Sequence, residues 1–117
     1  MRKLLLITAA TVVLAMPAFG AGVTDKEIVI GTSTDLSGVT ADWGVNNSNA
    51  VRMAFDEQNA KGGINGRMIK YIVEDSQYQV PRHVQAVNKL LNRDNVFLML
   101  VNGGTPMNNA TDRKSVV

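Results

Sequence analysis

The sequence predicts an α/β fold built on a parallel β-sheet. Three observations lead there: three short apolar or β-branched segments suited to strands, a helix-spaced segment after each of the first two with a helix start after the third, and Gly-, Asn- or Pro-bearing turns at the junctions. Strands that alternate with helices of this length are joined by right-handed crossovers, which lay them parallel. The expected order is β-α-β-α-β-α.

Each element is justified in turn. Met1-Arg2-Lys3 is basic, Leu4 to Met16 is almost wholly apolar, and Pro17-Ala18-Phe19-Gly20-Ala21 supplies small residues around a cleavage point after Gly20. This is the pattern of a secretory signal peptide over residues 1–20, with an apolar run shorter than the ~20 residues that span a bilayer. No Cys follows the cleavage point, so no lipid anchor is expected and the mature chain is expected to be free in the exported compartment. "EIVIGTST", Glu27 to Thr34, reads as the first mature strand. "DLSGVTADWG", Asp35 to Gly44, carries turn formers and reads as a loop. From Val45 to Ala60, Val51, Ala54 and Phe55 recur at helical spacing, with Asn47, Arg52, Asp56 and Glu57 for the wet face.

"NAKGGINGR" closes that helix, Gly62 suiting a left-handed terminus and Asn65-Gly66 a tight turn. "RMIKYIVED", Arg67 to Asp75, is the second strand. In "SQYQVPRHVQAVNKLLNRDN", Pro81 fits a first helical turn, and Val84, Val87 and Leu91 mark one face of the second helix. "VFLMLV", Val96 to Val101, reads as a strand buried on both sides. Thr105 before Pro106 has the pattern of an N-cap followed by Pro at the first helical position.

Composition excludes more than it assigns. Of 117 residues, 45% are hydrophobic and 19% charged, as in an ordinary globular domain. The formal charge of +2 owes its sign to Arg2 and Lys3; without them ten basic residues face ten acidic ones. No basic cluster with interleaved aromatics remains, so nucleic acid is not an expected partner. The absence of Cys rules out a disulfide framework, a thiol nucleophile and a Cys-built zinc site. His83, the only histidine, is expected to be a solvated residue of the second helix. Asp56-Glu57 and Glu74-Asp75 are chain neighbours that point in different directions, so neither converges as an acid/base pair. Neither a Gly-x-Ser-x-Gly elbow nor a Gly-x-Gly-x-x-Gly loop occurs, and "NAKGGINGR" follows a helix, the wrong order for a phosphate loop. No catalytic residue, metal ligand or cofactor is predicted, and the chain is not expected to be an enzyme.

Binding is easier to argue. Two loops, "TDLSGVTADWG" and "NGGTP", lie beyond the carboxyl ends of expected strands, where open parallel sheets hold their ligands. Gly103 and Gly104 would let a ligand reach the main chain, and Thr105 at a helix start adds a hydroxyl beside N–H groups that attract a carboxylate. The same residues would also make a plain strand-to-helix turn, and sequence geometry does not separate the two.

The stretch "GTSTDLSGVTADWGVNNSNAVRMAFDEQNAKGGINGRMIKYIVEDSQYQVPRHVQAVNKLL" followed by "VFLMLVNGGTPMNNA" resembles the N-terminal part of the branched-chain amino acid type of periplasmic substrate-binding proteins of ABC importers. The resemblance runs from Ile28 to Ala110, and "NAKGGINGR" after an Ala/Phe/Asp/Glu helix is its most specific element. It implies a two-lobed protein of the type I periplasmic binding fold, of which residues 21–111 are a partial N-terminal lobe. It further implies that the protein closes on a small solute, an amino acid or related carboxylate or amide, and delivers it to a membrane permease. The family's first-lobe ligand contacts fall on Trp43, after the first strand, and on Asn102, Gly103, Gly104 and Thr105, after the third. Where many relatives carry a serine-rich stretch this chain has Gly-Gly-Thr, which leaves the hydroxyl role to Thr105. The extracellular sensor domain of a receptor shares the fold and is the alternative.

Family members are much longer, so this chain is expected to be a fragment that is unstable or aggregates alone. Residues 112–117 do not continue the family pattern. "DRKSVV" reverse-translates to the start of a sequencing-library adapter that next reads a stop codon, and it is expected to be a non-native tail.

Overall fold

The computed structural model describes residues 20–112. The expected signal peptide and the expected non-native tail lie outside these residues, apart from Gly20 and Asp112. Six elements follow in chain order: β1 Glu27–Thr34, α1 Ala41–Ala60, β2 Met68–Asp75, α2 Val80–Asn92, β3 Leu98–Met99 and α3 Thr105–Asp112. The strands pair parallel in the order β2-β1-β3. β1 and β2 run in register along their whole length, from Glu27 opposite Met68 to Thr34 opposite Asp75.

Because strand side chains alternate between faces, β1 sorts its neighbours onto two sides. Val29 packs with Leu90 of α2 and with Val96, joined by Ile72, Leu91 and Met99, and Ser33 meets His83 of α2. On the opposite face the Thr32 hydroxyl donates to Leu100 O. That uses its one proton, so the Tyr71 hydroxyl, 2.8 Å away, donates to Thr32. The Tyr71 ring meets Phe55 of α1 edge-on at 5.3 Å, and the Arg52 guanidinium lies 5.5 Å from its centroid. The two crossover helices therefore cover opposite faces of the sheet.

The turn after α1 forms as expected. Asn65 and Gly66 both take positive φ, 50° and 80°, and Ile64 and Arg67 exchange backbone hydrogen bonds of 2.8 and 3.0 Å across the turn.

Four expectations need correction. First, α1 begins at Ala41, so its first turn takes in Trp43 and Gly44, which were assigned to a loop. Gly44 is not a turn former here: a Cβ on it would lie 1.8 Å from the main-chain oxygen of Asp35, and only glycine lets the helix approach β1 this closely. Second, β3 spans two residues rather than six, with Phe97 53% and Leu98 38% exposed. Its backbone still donates from Phe97 to Val29 O, Leu100 to Gly31 O and Gly103 to Ser33 O. Both donor steps, Phe97 to Leu100 and Leu100 to Gly103, span three residues against two on β1, and the second, with Val101 at φ 52°, is the bulge past which the regular strand ends.

Third, His83 is fully buried. The buried face of α2 is His83, Ala86, Val87 and Leu90; of the three residues expected there, Val87 is buried, Leu91 packs at the margin of the core and Val84 is half-buried. Polar partners make the burial possible: Ser33 Oγ lies 2.8 Å from Nδ1 and Thr111 Oγ1 3.3 Å from Nε2. Fourth, Gly104 rather than Thr105 accepts the first α3 hydrogen bond, from Asn108 N at 3.0 Å, which moves Thr105 and Pro106 into the first turn.

Candidate functional site

The chain leaves β1 for β2 on one side and returns past β1 to β3 on the other. Adjacent loops diverge to opposite faces at the carboxyl ends of β1 and β3, and this opens a crevice there. Two carboxylates hold the loops near it. Asp35, buried at the end of β1, accepts from the N–H groups of Ser37, Gly38 and Thr40 at 3.2, 2.6 and 2.7 Å and from the Thr40 hydroxyl at 2.8 Å. Burial pushes its pKa up, but these hydrogen bonds together outweigh burial and hold the carboxyl below its ordinary range. Asp75, opposite Thr34 in the ladder, accepts from Leu36 N, Gln77 N and the Ser37 hydroxyl. Burial raises its pKa too; hydrogen bonds led by the Ser37 hydroxyl, with a smaller contribution from the Arg82 charge, bring the net shift down. Both carboxylates are consumed in holding loops, which removes them as acids or bases for chemistry.

A pocket of about 250 Å³ opens between these loops, lined by Thr40, Trp43, Tyr78, Gly103, Gly104 and Thr105. No lining side chain is charged. Trp43 stands in the first turn of α1, 53% exposed, with its Cζ3 only 3.2 Å from where a Gly103 Cβ would be. Tyr78 Cε2 has the same 3.2 Å relation to Gly104. Each ring thus leans on one of two adjacent residues that have no side chain. A Cβ on Gly103 would also come within 2.6 Å of Thr34 Oγ1, a buried hydroxyl without a hydrogen-bond partner among the described residues. α3 starts at the pocket, and the amides of Thr105 and Met107 in its first turn have no acceptor within the helix.

Four of the five residues expected at the site, Trp43, Gly103, Gly104 and Thr105, come together around this pocket. Asn102 stands apart: its Oδ1 accepts from Ser33 N at 2.9 Å, filling the gap that the bulge leaves in the ladder. It lines a separate hollow of about 300 Å³ with Val87, Leu91, Met99, Asn108, Thr111 and Asp112. Thr40 and Tyr78 were not foreseen. The signal available for Tyr78 was its place just past the end of a strand; its positive φ of 54°, following Gln77 at 50°, has no sequence signature. Among the described residues no cluster of three or more metal-ligating side chains occurs, and no helix is long and apolar enough to cross a membrane.

The sequence profile of the periplasmic binding protein family matches residues 27–113. Among solved structures, a fatty acid ABC transporter substrate-binding protein from Thermomonospora curvata is 37% identical with a TM-score of 0.78, over 81% of this chain and 24% of that one. A substrate-binding periplasmic protein from Ralstonia solanacearum is 33% identical with a TM-score of 0.71, over 77% of this chain and 26% of that one. A possible leucine/isoleucine/valine-binding protein from Rhodopirellula baltica is 30% identical with a TM-score of 0.69, over 73% and 23%. The chain spans about a quarter of the length of these structures. No curated protein sequence matches it significantly.

Proposed function

Since the chain belongs to the periplasmic binding protein family, we propose that it forms part of the first lobe of an extracytoplasmic solute-binding protein of an ABC importer. Its pocket takes one end of a small carboxylate-bearing solute, such as an amino acid, which the protein hands to a membrane permease. Binding without chemical conversion is the role, since the buried Asp35 and the half-buried Asp75 are both engaged in loop hydrogen bonds. The observation that carries the reading is the pocket at the carboxyl ends of β1 and β3, where Gly103 and Gly104 bare the main chain and α3 begins.

In this reading the first-turn amides of α3 and the Thr105 hydroxyl receive the carboxylate, and the positive end of the helix dipole favours its charge. Trp43 covers the remainder of the solute. Asn102 contributes by holding the bulge that aims Gly103 and Gly104. The test is calorimetric titration of the protein expressed from its complete reading frame with leucine, phenylalanine and benzoate, and with the uncharged amide of each. Binding of at least one carboxylate and not of its amide is expected, with T105V weakening it about tenfold. Failure of all three carboxylates to bind would refute the proposal.

A further inference from the structure

On the reading that this pocket holds the solute, we infer that Tyr78 is a second aromatic wall facing the same main-chain strip as Trp43, and that the slot selects a flat, ring-bearing carboxylic acid over a branched aliphatic one. Three observations carry it. The first is the lining: two aromatic rings, two glycines and two threonines, with no Leu, Ile or Val among them. A branched aliphatic group gains most from close-packed aliphatic neighbours, whereas bare peptide planes between two π-systems present flat surfaces that match a ring.

The second is preorganisation. Gln77 and Tyr78 take successive left-handed conformations, at φ 50° and 54°, which cost free energy in residues that have a Cβ. The turn is nonetheless pinned, by Ser76 N to Thr34 O at 2.7 Å, Gln77 N to Asp75 Oδ1 at 2.9 Å and Gln79 N to Ser76 O at 2.9 Å. The strain serves to bring the Tyr78 ring round to Gly104 rather than leave it on the outside of the loop. The third is that the rings are kept open. Tyr78 is 39% exposed and Trp43 53%, each leaning on its own glycine. Each ring is supported on one side and wet on the other.

The experiment is titration of the protein expressed from its complete reading frame with benzoate, phenylalanine and leucine, repeated on Y78F and Y78L. The tighter of the two ring-bearing acids is expected to bind at least tenfold better than leucine. Y78L, which keeps apolar bulk but loses the ring, is expected to weaken that acid about tenfold and leucine by clearly less, while Y78F stays within twofold. Leucine binding tighter than both ring-bearing acids would overturn this inference and leave the solute-binding reading standing. So would a Y78L protein that binds the acid as wild type does. Binding of none of the three would overturn the solute-binding reading and this one with it. The wild-type preference decides the matter even if Y78L does not fold.

Discussion

His83 is the residue whose sequence reading and structural role diverge most. As the chain's only histidine it was read as solvated, yet it joins Ser33 of β1 to Thr111 of α3 from inside α2. Burial holds its pKa below the ordinary 6.5. The unfolded chain therefore takes up a proton near 6.5 that the folded chain refuses, and stability falls as pH drops below that value toward the lower folded pKa. The thermal midpoint is expected to decline from pH 7 to pH 5 in wild type and to be nearly flat in H83Q; a wild-type midpoint that is level across this window would contradict a neutral buried imidazole. Asp35 and Asp75 act further down the scale. Their folded pKa values lie below 3.8, so the stability they confer is intact above that value and is lost as pH falls through their folded values. Gly44 gives a prediction of a different kind. G44A forces a Cβ against the Asp35 main-chain oxygen, and urea unfolding is expected to show a loss of about 3 kcal/mol.

At the scale of elements, β1, β2 and the Asn65-Gly66 turn were legible because each rests on local signals: β-branched runs and a dipeptide that tolerates positive φ. The start of α1 was not. Asp35 gathers the amides of Ser37, Gly38 and Thr40, two to five residues on, into a compact turn, and the close approach of Gly44 to Asp35 lets the helix begin where glycine and aspartate otherwise suggest a loop. β3 was misjudged for the opposite reason: its composition is that of a core strand, but its ladder is cut short at Val101, and it lies at the edge of the described sheet with Phe97 and Leu98 exposed. Val101 is β-branched and held at φ 52°, so V101G is expected to raise stability by about 1 kcal/mol in the same urea assay. N102A is expected to lower it by about 1 kcal/mol, since it strips the acceptor from a part-buried Ser33 amide. An unchanged unfolding midpoint in N102A would show that Asn102 does not carry the ladder past the bulge.

Over the whole molecule, the place of the candidate pocket was readable, and so were four of its six lining residues. Strand–helix alternation put the ligand loops at the carboxyl ends of the strands, and Gly103, Gly104 and Thr105 follow from that rule, whereas Trp43 was expected only from the family resemblance. Tyr78 enters only through a backbone conformation, and Asn102 leaves only because a bulge turns its side chain toward β1. The sheet edge at β3 carries Phe97, Leu98 and Val101 in the open, an apolar patch beside unpaired backbone. The 117-residue chain alone is expected to self-associate in size-exclusion chromatography, and F97K to shift it toward monomer; a monodisperse wild-type chain would contradict this. The strand order has one more consequence. Among the described strands, β1 is the first to be synthesised and pairs on both sides, and Thr32 waits 68 residues for its bond to Leu100. Its last neighbour reaches it only after both crossover helices exist, so contacts that close long loops govern the rate at which the lobe folds.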